Sequence, residues 1–202
     1  MFSPSLGLAA TGEVRADRTN GINVAGFNRL VERIRSDTAR AKLCFKVNTR
    51  WTGQTRSETV IDHYEIGGEK IDRRFKIVAD EPRALMGQDS APNPQELLMS
   101  ALNSCILIGW VTSAALKGVT LETLFIETDA ELDMRGFMGI DERVKPGCQS
   151  IHLTVTVAGD APDEVLYAIH EGVLARSPNY FDLSTPIAVS GRLEILRHGI
   201  ML

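Results

Sequence analysis

Three cysteines, Cys44, Cys105 and Cys148, are all that this chain of 202 residues carries, and no two form a C-x-x-C pair. An odd, widely spaced set argues against both a disulfide framework and a thiolate zinc site. The four histidines show no H-x-x-H or H-x-x-x-H spacing, so no metal centre is expected. Neither sign of charge is in large excess, with 22 Lys and Arg against 26 Asp and Glu. A formal net charge of −4 leaves no footprint for nucleic acid and no polybasic patch for a membrane surface. No run of like charges marks a tail. No Gly-rich loop leads from a strand into a helix, and no G-x-S-x-G elbow occurs, so neither a phosphate cradle nor a serine hydrolase is indicated. No cofactor is expected. Met1 to Leu8 lacks a basic n-region and an apolar run of secretory length, and cytoplasm is the default expectation.

What the chain does have is one long uncharged run, Leu97 to Leu116. Its length would span a bilayer. Ser100, Asn103, Ser104, Thr112 and Ser113 make it too polar for that, and no aromatic and basic flanks frame it. The expectation is a buried helix of a soluble domain, apolar nearly all round and therefore central. Helical spacing places Leu98, Ala101, Leu102, Cys105, Gly109, Thr112 and Leu116 on one face. Asn93-Pro94 opens the helix and Gly118 closes it.

The remaining elements follow from periodicity. Residues 1–20 read as an irregular, flexible N-terminus. From Ile22 to about Ala41, Phe27, Leu30, Val31 and Ile34 fall at helical spacing, giving an N-terminal helical extension over 21–42. Cys44 to Ile61 alternates loosely around a turn at Gly53-Gln54. Further strands are expected at His63–Ile66 and Arg74–Val78, joined by Gly67-Gly68. Asp80–Pro94, with three prolines, is a loop. After the central helix come a strand over Leu121–Leu132, a Gly-rich loop Met134–Gly147 and a strictly alternating strand through Ile151, Leu153, Val155 and Val157. A helix over Asp160–Arg176 and a last strand over Ile187–Ile195 complete the order. Strands and helices are segregated, which is the α+β class, with the main domain over 43–202.

Asn93-Pro94-Gln95-Glu96-Leu97-Leu98, followed by Ala101-Leu102-Asn103-Ser104-Cys105, resembles the central helix of the OsmC/Ohr family. The family's usual form is N-P-E-x-L, then small residues and a peroxidatic cysteine. The downstream β-β-α-β order agrees, and Ser177-Pro178 falls where the family typically shows Cys-Pro. The resemblance covers roughly Leu43 to Ile195. It implies an OsmC-like fold, with an antiparallel sheet packed around a long buried central helix, and an intertwined homodimer with two interfacial sites. It also implies thiol-dependent reduction of a small apolar hydroperoxide, in defence against oxidative stress. The alternative is a non-catalytic module that binds an apolar small molecule in the same interfacial pocket.

On this resemblance the nucleophile is Cys105. A thiolate attacks peroxide, and burial among apolar groups opposes ionisation, so a working site needs a cation. The family takes it from an N-terminal hairpin arginine held by a glutamate at the start of the central helix. Arg56 is the best match, with Arg50 as rival. At the glutamate position stands Gln95, followed by Glu96, which one helical step of about 100° turns elsewhere. Ser177 stands at the resolving position and cannot form a disulfide, so an external thiol must reduce the oxidised cysteine. Cys148 is the alternative resolving cysteine, but the Pro146-Gly147-Cys148 loop gives no local reason to place it near Cys105, and it reads as a half-buried residue at a strand start; Cys44 reads as packing.

Overall fold

The computed structural model describes residues 18–196. Of the expected flexible N-terminus, residues 1–17 lie outside that range, as does His198. The chain begins with a short ribbon, β1 (Arg18–Thr19) and β2 (Ile22–Asn23). Asn20 pins its turn to the core: Nδ2 donates to Val119 O at 2.9 Å and Oδ1 accepts from Leu121 N at 2.9 Å. Helix α1 (Val24–Ser36) follows, its first turn capped by the Asn23 side chain. It stops short of the expected Ala41. Asp37 takes extended backbone angles and its carboxylate accepts from Ala39 N, starting a separate 3₁₀ turn over Thr38–Ala41.

The first sheet holds β3 (Leu43–Phe45), β4 (Asn48–Gly53), β5 (Arg56–Ile66) and β6 (Glu69–Ala79). All pairings are antiparallel: β6 runs along one edge of β5, while β4 and β3 share the other. The turns are the expected ones, at Gly53-Gln54 and Gly67-Gly68, and all four of these residues have positive φ. The loop to the central helix is folded around one buried carboxylate. Asp80 accepts from Thr55 Oγ1 and Ser90 Oγ, each at 2.7 Å, and from the amides of Glu81, Gln88 and Ser90. These donors hold its carboxyl well below the usual carboxylate range, the Ser90 hydroxyl most of all.

The central helix α2 spans Pro94–Leu116, 23 residues, or about 34 Å. Its start is a complete capping box: Asn93 Oδ1 accepts from Glu96 N at 2.9 Å, and Glu96 Oε2 accepts from Asn93 N at 2.7 Å. Gly118, at φ +72°, ends it as expected. The hairpin β7 (Leu121–Leu132) and β8 (Cys148–Gly159) lies against it. Between them a short helix α3 (Met134–Phe137) sits in the expected loop. Helix α4 (Asp163–Leu174) packs on α2, and α5 (Pro178–Ser184) on the part of α2 around Ala101. α4 begins after Pro162 rather than at Asp160, with Asp163 and Glu164 complementing its first-turn dipole.

The core is Leu102, Ile106, Trp110, Ala114, Val119, Ile169 and Val173, covered by Leu124, Ile126, Leu153, Val155 and Leu166. Full burial of a residue such as Ile106 or Ile169 is worth about 2 kcal/mol. The buried stripe on α2 thus runs through Ile106 and Trp110, beside the face that spacing assigned around Cys105 and Gly109. A helix apolar on every side leaves its rotation unspecified by pattern. Gly109 faces α4, where a Cβ would come within 3.0 Å of Val173 Cγ1, so its small size serves a contact within the chain.

The expected strand over Ile187–Ile195 is not formed. Residues 185–196 have no regular structure, and Val189, Leu193 and Ile195 are 87%, 81% and 73% exposed. An extended segment becomes a strand only beside another edge, and this one pairs with none among the described residues.

Candidate functional site

Cys105 projects from the middle of α2 and is half-buried. Its sulfur meets one hydrogen-bond partner among the described residues. Ser177 Oγ donates to Cys105 Sγ at 3.2 Å. Ser177 is 5% exposed and is the N-cap of α5, its Oγ also accepting from Tyr180 N at 3.3 Å. Pro178 occupies the first helical turn. Asn179 Nδ2 donates to Ala101 O at 2.9 Å, one helical turn before Cys105. Ser177 and Asn179 together clamp α5 onto α2 at the thiol. In the sequence Ser177-Pro178 was placed only by its position in the resemblance, past the end of the helix expected to Arg176. A Ser followed by Pro is also a helix-start signal, and that signal would have found α5.

The other expected residues lie elsewhere in the single chain. Glu96 is committed to the capping box. Gln95 Oε1 lies 3.8 Å from Cys148 Sγ. Ten residues of helix separate Gln95 from Cys105, about 15 Å, which puts Cys148 near the start of α2, well away from the Cys105–Ser177 pair. Cys148 is half-buried at the start of β8, as expected. Cys44 is exposed on β3 rather than packed.

Arg56 and Arg50 sit on the first sheet, no strand of which packs along α2 within the chain. Both are tied to a carboxylate that sequence reasoning passed over. Glu58 is 7% exposed and meets Lys76 Nζ at 2.6 Å, Arg50 Nη2 at 2.9 Å and Arg56 Nη1 at 3.1 Å. The Lys76 bond, then those of Arg50 and Arg56, holds its carboxyl down at about 2. The signal was present in the sequence. Arg56 and Glu58 are two apart on a strand and therefore share a face, with Arg50 directly opposite Glu58. One carboxylate among three cations leaves a net positive cluster on that face.

Apolar side chains are uncovered on α2 and on the first sheet, among other places. On α2, Leu98, Leu107 and Ile108 are exposed, Ile108 by 64%. On the first sheet, Phe45, Trp51, Phe75 and Ile77 are exposed. A groove of about 580 Å³ runs beside β8 under α4, lined by Trp110, Val155, Val157, Leu166, Tyr167 and His170. Trp110 Nε1 and His170 Nδ1 have no hydrogen-bond partner among the described residues.

The family model described as OsmC-like protein matches residues 87–190, just over half of the chain. The matched segment holds Cys105 and Ser177 but not the hairpin that carries Arg56. An OsmC-like protein from Mycoplasma pneumoniae has a similar structure, at 16% identity, with a TM-score of 0.54, over 69% of this chain and 86% of that one. A protein from Psychrobacter arcticus, described as one of the osmotic stress induced and detoxification response, aligns at 16% identity and a TM-score of 0.51, over 66% and 84% of the two chains. An OsmC-like hydroperoxide resistance protein from Jannaschia aligns at 21% identity over 77% and 95%, with a TM-score of 0.42. No curated protein matches the sequence. The chain belongs to the OsmC-like family.

Proposed function

We propose that this member of the OsmC-like family is a one-cysteine reductase of organic hydroperoxides, acting through Cys105. The observation that carries the reading is the Cys105–Ser177 contact: the thiol is half-buried and its sulfur accepts a hydroxyl hydrogen bond at 3.2 Å. A cysteine that is only core packing needs no such donor. The thiolate attacks the distal peroxide oxygen, the O–O bond breaks, and the departing alkoxide takes a proton to leave as alcohol. Cys105 is left as a sulfenic acid. One external thiol condenses with it to a mixed disulfide and water, and a second displaces Cys105 as thiol.

The cation is assigned to Arg56, with Arg50 as rival, from a second copy of the chain. Three features support a homodimer. The first sheet exposes Trp51, Phe75 and Ile77 on one face, α2 exposes Ile108 and its neighbours, and Ile187–Ile195 is an alternating segment unpaired among the described residues. β8 has β7 on one edge only. Ile187–Ile195 of the second copy is assigned to its other edge, filling the groove under α4 and bringing polar backbone groups to the side of Trp110 and His170. Glu58 replaces the missing helix-start acid as the group that orients the arginine.

The test is consumption of cumene hydroperoxide with excess monothiol. Wild type should turn over, Cys105→Ser should not, and Arg56→Ala should fall by at least about tenfold, the loss expected when a thiolate gives up its cation. Equal rates for wild type and Cys105→Ser would remove the reading. A binding module without turnover is the second reading, favoured by the lack of any cation bonded to Cys105 among the described residues. Saturable binding of an apolar probe with no thiol-dependent consumption of hydroperoxide would support it instead.

A further inference from the structure

We propose that Ser177 is a second catalytic residue: its hydroxyl donates to the Cys105 thiolate before peroxide attack and to the sulfenic acid oxygen after it. This rests on the reading of Cys105 as nucleophile and goes beyond it by giving the residue at the resolving position a chemical task of its own. The hydroxyl has one proton and two lone pairs. One lone pair takes the Tyr180 amide at 3.3 Å, as an N-cap does. The proton goes to Cys105 Sγ, at 3.2 Å. At 5% exposure, Ser177 has little competition from solvent for that proton.

Capping alone does not account for this geometry. An N-cap needs only an acceptor oxygen facing its own helix, and the proton could point anywhere. Here the oxygen also lies 3.2 Å from Cys105 Sγ on α2, and the Asn179–Ala101 bond fixes that distance by anchoring the first turn of α5 to the carbonyl four residues before Cys105. A hydrogen bond to an ionised acceptor is roughly twice as strong as one to a neutral acceptor, so the contact favours thiolate over thiol. The same hydroxyl cannot attack sulfur to form an S–S bond. Oxidised Cys105 therefore waits, hydrogen-bonded, for a thiol from outside. Asn179 acts through Ser177 and is a positioning residue.

The experiment is the pH profile of Cys105 alkylation by iodoacetamide, read at the Cys105 peptide by mass spectrometry in folded protein. Four proteins are compared: wild type, Ser177→Ala, Ser177→Gly and Ser177→Thr. Glycine is tolerated at an N-cap and separates lost hydroxyl from lost cap. Both variants without hydroxyl should show the profile moved up by about one pH unit, so that below the midpoint alkylation is roughly tenfold slower. Threonine should restore most of the rate. Superimposable profiles for wild type, Ala and Gly, even with lower melting temperatures, would reduce Ser177 to a cap and overturn the proposal. A Ser177-dependent profile in a wild type that consumes no hydroperoxide would support the Ser177–thiolate bond and overturn the peroxidase reading.

Discussion

Replacing Ser177 by cysteine asks the structure a quantitative question. The Ser177 Oγ and Cys105 Sγ atoms are 3.2 Å apart, so a thiol at position 177 needs only a small shift to reach disulfide bonding distance of about 2.05 Å. The residues are 72 apart in sequence. Closing a loop of that size removes unfolded-chain entropy worth about 4 kcal/mol on the chain-entropy account. Cysteine is a poor N-cap, and losing the Tyr180 bond costs about 1 kcal/mol. The net expectation is about 3 kcal/mol in favour of the oxidised variant, or a rise of roughly 6–12 °C in Tm for a domain of this size. The assay is a thermal melt of S177C after one equivalent of cumene hydroperoxide, with and without dithiothreitol, and a peptide map under non-reducing conditions. The map should show the Cys105 peptide bridged to the peptide that carries the introduced thiol. A reductant-insensitive melt with no such bridge would refute the packing of α5 on α2 and with it the placement of Ser177.

Glu58→Gln should leave its three cations unneutralised and destabilise the first sheet above the ordinary carboxylate pKa of 4.5. Glu58 has its folded pKa depressed to about 2, so its contribution is complete above the unfolded value and is lost as pH falls towards 2. The gap in urea midpoint between wild type and variant should therefore close on acidification; a gap that widens would contradict the pairing. Ile108→Lys places a charge on the most exposed apolar residue of α2. Sedimentation should show dissociation of the proposed dimer with loss of folding or solubility, whereas an unchanged dimer would remove that face from the interface.

The order of elements was legible because the strong signals are local. Asn93-Pro94 and Gly118 bracket α2, and alternation from Ile151 to Val157 marks β8. The rotation of α2 was not legible, because a helix apolar on all sides carries no moment to say that Ile106 and Trp110 face the core. Helix α5 was hidden by its seven residues, too short for periodicity to register. Ile187–Ile195 alternates as a strand should, but alternation does not say which edge a strand pairs with, and among the described residues this segment pairs with none. Of the site, Cys105 and Ser177 were legible from motif position, and the structure brings them together. Asp80 was not singled out, since its burial depends on donors distant in sequence such as Thr55, whereas Glu58 was passed over although its hairpin partners Arg50 and Arg56 lie close by in the chain.

The central claim is that Cys105 alone carries the peroxide chemistry. It is tested most directly by mass spectrometry of all three cysteine peptides after a brief pulse of cumene hydroperoxide, with dimedone present to trap sulfenic acid. The account predicts the dimedone adduct at Cys105 and unmodified Cys44 and Cys148. Adduct at Cys148 or Cys44 beside unmodified Cys105, or a Cys105–Cys148 disulfide, would contradict it.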